Sequence, residues 1–159
     1  MTSEYVKFLF NYCNGELIWK TSKARRIKVG SIAGSIDDEG YKRVRIDGKS
    51  YKIHRLVFLY HFDYLPEEVD HIDGNKLNNL IENLRGVSKT QNQWNSRKPK
   101  TNKSGIKGVS WSKVAKKWQT GITINGKKCF RKYFDDLNEA KTYIELMRKQ
   151  NHGEYARNE

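Results

Sequence analysis

The sequence of 159 residues is poor in cysteine, in proline and in acidic side chains. Its two cysteines, Cys13 and Cys129, fit neither a disulfide framework nor a four-cysteine zinc site, so we interpret them as reduced thiols. The longest apolar run, Leu56–Tyr60, is far shorter than the ~20 residues that a membrane span requires. The amino-terminal segment contains Glu4 and Lys7 and lacks the pattern of a signal peptide. These absences predict a cytoplasmic protein that is neither secreted nor embedded in a membrane.

Positive charge is what the sequence has in excess. Its 31 Lys and Arg residues face 18 Asp and Glu, which gives a formal net charge of +13. Such a balance favours a polyanionic partner, in first place nucleic acid, although a basic protein without such a partner remains the alternative. Aromatic residues make up 12% of the chain, which is enough to build a core and excludes a wholly disordered protein.

A basic stretch without apolar residues divides the chain at 97–103 and is typical of a linker. The 99 residues up to Pro99 contain 17 Lys and Arg against 12 Asp and Glu, whereas residues 100–159 contain 14 against 6. We therefore predict a first domain at 1–96 and a more strongly basic second domain at 104–159.

The residue pattern predicts an α+β fold in both parts. In the first part, Asn14-Gly15 and Asp47-Gly48 are turn signals, the second within a β-hairpin. In the second part we expect three antiparallel strands at 108–112, 117–124 and 127–134, with Asn125-Gly126 as a turn. Asp136 and Glu139 then form a capping box for an amphipathic helix that ends before Gly153.

The segment from Val69 to Asn95 is dense in Asp, His and Asn. We expect a strand that ends at Asp70-His71, a loop, a return strand at Leu84–Val87 and a helix that carries Asn92. This arrangement would bring Asp70, His71 and Asn92 together. Asp70 and Asn92 offer hard oxygen ligands for Mg²⁺ or Mn²⁺, and His71 offers a base near neutral pH.

This segment resembles the catalytic ββα-metal (His-Me finger) motif of the HNH endonucleases, in the H-N-N variant common among phage and intron homing enzymes. His71, Asn83 and Asn92 match the three motif positions, and Asp70 matches the metal-binding acid. The resemblance extends upstream through Gly40–Leu56 and covers most of residues 12–96. It implies a nuclease domain with an added β-hairpin region, in a bacterial or phage-infected host cell.

The resemblance also implies a mechanism. Asp70 and Asn92 would hold one divalent ion, Mg²⁺ or else Mn²⁺, and His71 would be the general base. Asn83 would hydrogen-bond backbone across the loop and hold His71 in place. Cleavage of double-stranded DNA would leave 5′-phosphate and 3′-hydroxyl ends.

Residues 104–157 resemble the APETALA-type (ethylene-response-factor) DNA-binding domain, through Gly108-Val109-Ser110-Trp111, Lys117-Trp118 and Gly153-Glu154-Tyr155-Ala156. In that family the three-stranded sheet enters the major groove and the helix supports it from behind. The sequence departs from the family at Arg131-Lys132. The predicted DNA-binding residues are Lys107, Ser110, Ser112, Gln119, Thr123, Lys128, Phe130, Lys132, Arg97 and Lys98.

Strand alternation independently separates the two faces of the sheet. The residues expected to face the helix are Val109, Trp111, Trp118, Thr120, Ile122 and Ile124. The residues expected on the other face include Ser110, Gln119 and Thr123, whose polar side chains can contact base edges and phosphates.

Three functions remain open at this stage. The first is a site-directed homing endonuclease, and the others are a DNA-binding regulator with an inert nuclease core and a restriction or defence nuclease. One active site per chain favours nicking by a monomer, whereas a homodimer could cut both strands. We expect His54 to make a structural hydrogen bond, and Asn78 and Asn79 to shape the loop.

Overall fold

The computed structural model describes residues 1–21, 26–96, 98–124 and 127–158, and within these it leaves out the side chains of Lys128 and Phe130. The chain divides into two compact units, unit 1 at Met1–Ser88 and unit 2 at Lys89–Glu159. This division precedes the linker predicted at 97–103. The described helices include none that is long and apolar enough to cross a membrane.

Unit 1 is a mixed α/β arrangement of two helices and three small antiparallel sheets. Strands β1 and β2 form one hairpin, β3, β4 and β5 form a three-stranded sheet, and β6 and β7 form a second hairpin. The elements are α1 (Ser3–Leu9), β1 (Phe10–Cys13), β2 (Glu16–Trp19), β3 (Ser35–Ile36), β4 (Lys42–Ile46), β5 (Lys49–Lys52), α2 (Ile53–Phe62), β6 (Glu68–His71) and β7 (Leu84–Val87). A single turn of 3₁₀-helix, Ile81–Asn83, precedes β7.

Helix α2 organises the core of unit 1. Its residues Ile53, Leu56 and Val57 are almost completely buried, and they belong to one hydrophobic cluster with residues of α1 and of every hairpin. Burial of side chains of this size contributes about 1.5–3 kcal/mol each. The helix ends at Asp63, whose left-handed backbone (φ 61°) stops it ahead of Pro66.

Two hairpin turns of unit 1 follow the sequence signals. Asn14-Gly15 and Asp47-Gly48 both have positive φ at both residues, as a type I′ turn requires. The Gly15 turn also packs against the rest of the unit, since a Cβ at Gly15 would lie 3.0 Å from the backbone nitrogen of Leu80. The β1–β2 hairpin therefore lies against the loop between β6 and β7.

Unit 2 contains a short helix, a three-stranded antiparallel sheet and a longer helix. The strand order is β10-β9-β8, and both pairs are antiparallel. The elements are α3 (Lys89–Asn95), β8 (Val109–Ser112), β9 (Lys117–Ile124), β10 (Lys127–Phe134) and α4 (Leu137–His152). The predicted strands and helix are therefore present, whereas the predicted Asn125-Gly126 turn lies outside the described residues.

One face of this sheet packs on α4. Val109 and Ile122 from the sheet and Ala140 and Ile144 from the helix form the buried core. Trp111, which the alternation assigned to the helix side, is half exposed and meets Trp118 edge to face. As the capping box predicted, Asp136 starts α4 by accepting hydrogen bonds from the backbone of Asn138 and Glu139.

Helix α3 is attached to the rest of unit 2 at its carboxyl end. Lys107 Nζ donates hydrogen bonds to the carbonyl oxygens of Trp94, at 2.8 Å, and of Ser96. A cation at this end of a helix satisfies carbonyls that have no partner within the helix. The indole of Trp94 stacks on the imidazole of His152 with ring centroids 4.3 Å apart and an angle of 8°. Helix α3 thus packs on the end of α4.

Candidate active site

The carboxylate and imidazole predicted to carry the chemistry belong to consecutive residues at the end of β6. Asp70 pairs with Arg85 and His71 with Leu84 across the β6–β7 ladder. Arg85 donates from Nε and Nη2 to the same oxygen of Asp70, Oδ2, at 3.1 Å in both cases. The side chains of Asp70 and Arg85 are only 9% and 15% exposed. The positive guanidinium of Arg85 thus lies next to the carboxylate of Asp70 and restricts its rotation.

A buried hydrogen bond fixes the ring of His71. Its Nε2 lies 3.0 Å from Oδ1 of Asn79. The exposed fractions of the two residues are only 4% and 2%. Because an amide oxygen can only accept, Nε2 carries the proton and Nδ1 is the nitrogen without one. Asn79 is a residue that the sequence reasoning assigned only to loop shape.

Asn83 lies in the loop rather than against the imidazole. Its Oδ1 accepts from the backbone nitrogen of Asp73, and its Nδ2 donates to Asp73 Oδ1 and to the carbonyl of Asn78. The backbone of Asn83 also accepts from Ile72. These bonds close the loop that begins directly after His71. The carboxylate of Asp73 accepts from the side chains of Asn78 and Asn83, and it serves to hold the loop.

An aromatic cluster surrounds His71 on its other side. The rings of His54 and His71 meet edge to face, with their centroids 4.8 Å apart. The centroid of the Tyr41 ring lies 5.3 Å from that of His54 and 6.2 Å from that of His71. Lys52 and Lys76 place their ammonium groups 3.8 Å and 4.4 Å from the centre of the Tyr41 ring. The predicted structural hydrogen bond of His54 is absent at Nδ1, which has no partner among the described residues.

Burial controls the protonation of both histidines. Burial lowers the pKa of His71 below its ordinary value, and the hydrogen bond with Asn79 and the charges of Asp73 and Asp70 oppose this effect only in part. Burial, together with the neighbouring His71, lowers the pKa of His54 to about 3. Both imidazoles are therefore neutral at neutral pH, and a neutral imidazole is the form that can accept a proton.

The predicted metal ligands come from the two units. Asp70 lies in β6 of unit 1, while Asn92 is a half-buried residue of α3 in unit 2. The described parts of the chain contain no group of three or more His, Cys, Asp and Glu side chains that could hold a metal ion. A carboxylate and a carboxamide are hard oxygen donors of the kind that Mg²⁺ prefers, and Mg²⁺ commonly completes its shell with water and phosphate oxygens. Both residue types therefore suit a hard cation.

The predicted DNA-binding residues do not all share one surface. Ser110 and Thr123 are exposed and Gln119 is half-buried, and all three lie on the sheet face opposite α4. Lys132 instead pairs with the buried Thr120, and its ammonium lies over Phe134 and Tyr143. The structure therefore assigns Lys132 to the side of α4.

The other predicted DNA-binding residues differ in what the structure shows of them. Lys98 donates to the carbonyl of Gly105, and Ser112 accepts from the backbone of Ala115. The ammonium of Lys107 donates hydrogen bonds to carbonyl oxygens at the end of α3. Arg97 and the side chains of Lys128 and Phe130 lie outside the described parts.

Comparison with known families identifies the segment that contains this site. The sequence profile of the HNH endonuclease family matches residues 51–94. This range includes α2, the β6–β7 hairpin, the loop that contains Asn79 and most of α3. The three residues of the predicted H-N-N pattern and Asp70 all lie within it.

Relatives of the chain occur in several phages. The chain is 44% identical over 90 residues to Protein 3.8 of Escherichia phage T7, and the match covers 56% of this chain and 73% of that protein. It is 38% identical over 79 residues to DNA endonuclease I-HmuI of Bacillus phage SP01, covering 45% of each. A putative HNH homing endonuclease of the SPbeta prophage in Bacillus subtilis is 42% identical over 55 residues, covering 33% of this chain and 32% of that one. The chain thus spans less than half of the two relatives named as endonucleases.

A solved structure of I-HmuI, described as an HNH homing endonuclease that binds and cleaves DNA, also matches. The two are 38% identical, with 50% of this chain and 46% of that chain covered and a TM-score of 0.38.

Proposed function

The chain belongs to the HNH endonuclease family, and we propose that it is a metal-dependent, site-directed DNA endonuclease of the homing type. The observation that carries this proposal is the pair Asp70 and His71, two consecutive buried residues at the end of β6, the first held by Arg85 and the second by the buried Asn79. Similarity to I-HmuI, named as a DNA endonuclease, supports DNA as the substrate.

His71 acts as the general base in this proposal. The imidazole accepts a proton from water as the water attacks the scissile phosphorus, while the hydrogen bond with Asn79 holds the ring in place. Burial keeps the imidazole neutral, so it does not have to lose a proton first. The attack leaves a 5′-phosphate on one end and a 3′-hydroxyl on the other.

Asp70 and Asn92 are the residues that would hold the metal ion, for which we propose Mg²⁺, with Mn²⁺ as a substitute. When bound, the ion supplies Lewis-acid stabilisation of charge on the phosphate and on the leaving oxygen. Arg85 keeps the carboxylate of Asp70 oriented from the opposite strand. Asn83 acts at a distance, by closing the loop that holds Asp73 and Asn79 in place behind His71.

We further propose that residues 104–159, which lie within unit 2, form an APETALA-type module that directs the nuclease to its site. Unit 2 contains 17 Lys and Arg against 6 Asp and Glu, whereas unit 1 contains 14 against 12. The net charge is therefore +2 in unit 1 and +11 in unit 2, so most of the net positive charge of the chain lies in unit 2. Its sheet packs one face on α4 and presents Ser110, Gln119 and Thr123 on the other. These polar side chains suit contacts with base edges and phosphates.

A plasmid-nicking assay tests the proposed function. With Mg²⁺, the full chain should convert supercoiled DNA that contains its target into an open or linear form, and EDTA should stop this conversion. Retention of the same DNA in a gel-shift assay with EDTA separates binding from cleavage. Binding without any cut strand over a range of Mg²⁺ and Mn²⁺ concentrations would instead support a DNA-binding regulator with an inert nuclease core.

A further inference from the structure

Unit 2 contains a cavity of about 540 Å³ that the proposed chemistry does not use. The open face of the sheet lines it through Ser110, Gln119 and Thr123, and α3 lines it through Thr90 and Gln93. We call this space the α3–sheet groove. It lies entirely within unit 2 and is of the size of ordinary ligand sites.

Cations line the α3–sheet groove without carboxylates. Lys107, Arg131 and Arg148 all contribute to its lining, and no Asp or Glu occurs among its described lining residues. Arg131 is exposed, whereas Arg148 is only 2% exposed. A concave surface with charge of a single sign concentrates the field of its charges and attracts ions of opposite sign.

The two more deeply placed cations are hydrogen-bonded to neutral groups, and the carboxylate of Glu145, whose charge acts on Arg148, does not line the groove. Lys107 donates to the carbonyls of Trp94 and Ser96, while Arg148 donates to the carbonyl of Lys107 and to the side-chain oxygen of Asn158. Carbonyl and amide oxygens satisfy the protons of a cation but do not cancel its charge. Burial and the charge of Arg148 lower the pKa of Lys107 to about 8. The two cations therefore repel each other, which makes the charged form of Lys107 less favourable.

The backbone leaves room for a ligand next to these cations. At Gly108 (φ 73°), a Cβ would lie 2.7 Å from the Arg148 guanidinium and from the carbonyl oxygen of Gly121, so this glycine lets Arg148 reach the sheet edge. At Gly121, in contrast, a Cβ would meet no atom within 4 Å. His152 also lines the groove, is 7% exposed, and its Nδ1 has no partner among the described residues.

We infer that the α3–sheet groove binds a backbone phosphate of a DNA strand, through the positive charges of Arg131, Lys107 and Arg148. A phosphodiester supplies the negative charge that the carbonyl partners of these cations lack. The assignment of DNA as the ligand rests on the proposed function. It adds Arg131, Arg148 and the α3 side of the groove to the surface that the sequence had predicted.

Gly121→Val tests the inference because it fills the groove without crowding the protein. Valine favours an extended strand over glycine, so the variant should unfold at the same or a higher temperature. Its affinity for duplex DNA, measured by fluorescence anisotropy in EDTA, should nevertheless fall about tenfold or more. Affinity equal to that of the original chain in a folded Gly121→Val variant would overturn the inference.

Arg131→Gln tests the charge. The logarithm of the association constant for duplex DNA is plotted against the logarithm of the salt concentration. Loss of one phosphate contact should decrease the magnitude of the slope by about 0.9. Lys141→Gln is the control, since it removes one positive charge from the exposed face of α4, outside the groove. Equal effects of the two substitutions would contradict a contact in the groove.

Titration with inorganic phosphate distinguishes a backbone phosphate from a free one. In ¹H–¹⁵N spectra, the signals of the Trp94 indole N–H and of the Gly108 and Gly121 amides should move as a DNA duplex is added. These shift changes should reach saturation with the duplex. Inorganic phosphate could instead saturate these shift changes while Gly121→Val and Arg131→Gln keep the original affinity for the duplex. That pair of results would overturn the assignment to DNA. Because binding is measured in EDTA, a protein that binds through the groove but never cleaves would count against the proposed nuclease function alone.

Discussion

Nε2 of His71 lies 3.0 Å from Oδ1 of Asn79, and both side chains are buried. This contact selects one tautomer of the imidazole, with the proton on Nε2. Asn79 is thus a positioning residue for the proposed general base, and it lies only eight positions after His71 in the loop between β6 and β7. The orientation of its amide determines whether Nδ1 can accept a proton.

The pair Asn79→Ala and Asn79→Asp tests this orientation. Alanine removes the acceptor, so the single-turnover cleavage rate should fall about 10- to 100-fold while DNA binding in EDTA is unchanged. Aspartate keeps an oxygen at the same place and should restore most of the rate. The ¹⁵N spectrum of the His71 imidazole should show a proton on Nε2 in the original chain and a tautomer mixture in Asn79→Ala. A slow Asn79→Asp variant together with a fast Asn79→Ala variant would contradict the assigned role.

The hairpin turn at Gly15 should matter to cleavage as well as to stability. Alanine at Gly15 would adopt an unfavourable positive φ and would press on the backbone of Asn79 and Leu80. Gly48→Ala is a matched control, because Gly48 has a similar φ of 78° but nothing within 4 Å of the added Cβ. We expect about 1 kcal/mol of destabilisation in Gly48→Ala and a larger loss in Gly15→Ala, measured by urea unfolding. Only Gly15→Ala should also slow cleavage, and equal cleavage rates would show that the turn does not support the loop.

Stability should depend on pH through His54. The folded chain holds this imidazole neutral with a pKa of about 3, whereas the unfolded chain binds a proton below about pH 6.5. Between these values the unfolded state binds more protons, so stability falls as the pH is lowered from about 6.5. The contribution of this residue reaches about 1.4 kcal/mol per pH unit.

His54→Phe should flatten this dependence between pH 6.5 and 5, where most carboxylates are still ionised. The measurement is the free energy of unfolding against pH, for the original chain, for His54→Phe and for His61→Phe. His61 is exposed, so its replacement should leave the slope in place. An unchanged slope in His54→Phe would show that the buried histidine does not control it.

The sequence was informative where local rules determine structure. The turn at Asp47-Gly48, the N-cap at Asp136 and the alternation of β9 each depend on a few neighbouring residues, and all three are present in the structure. Helix α1 and strand β1 were not predicted. Each is short, and each is stabilised by burial of Val6, Leu9 and Phe10 in the shared core rather than by a local signal.

Contacts between distant residues account for what the sequence did not reveal. The sequence could not show that the ammonium of Lys107 donates to carbonyls at the end of α3, among them that of Trp94, which lies thirteen residues earlier in the chain. The partners of His152 and Asn79 likewise depend on how loops and helices pack. The pairing of Asp70 with Arg85 required the register of two strands, which the alternation of short strands does not fix.

The most direct test of the central claim is cleavage of end-labelled target DNA by the original chain and by His71→Ala, under single-turnover conditions with saturating Mg²⁺. His61→Ala is the control, because it removes an exposed histidine of α2 outside the site. We predict that His71→Ala binds DNA normally in EDTA and yet loses cleavage by at least about 10²–10⁴-fold, the range that a general base contributes. A folded His71→Ala protein that cuts the same strand at the same position at the original rate would contradict the account.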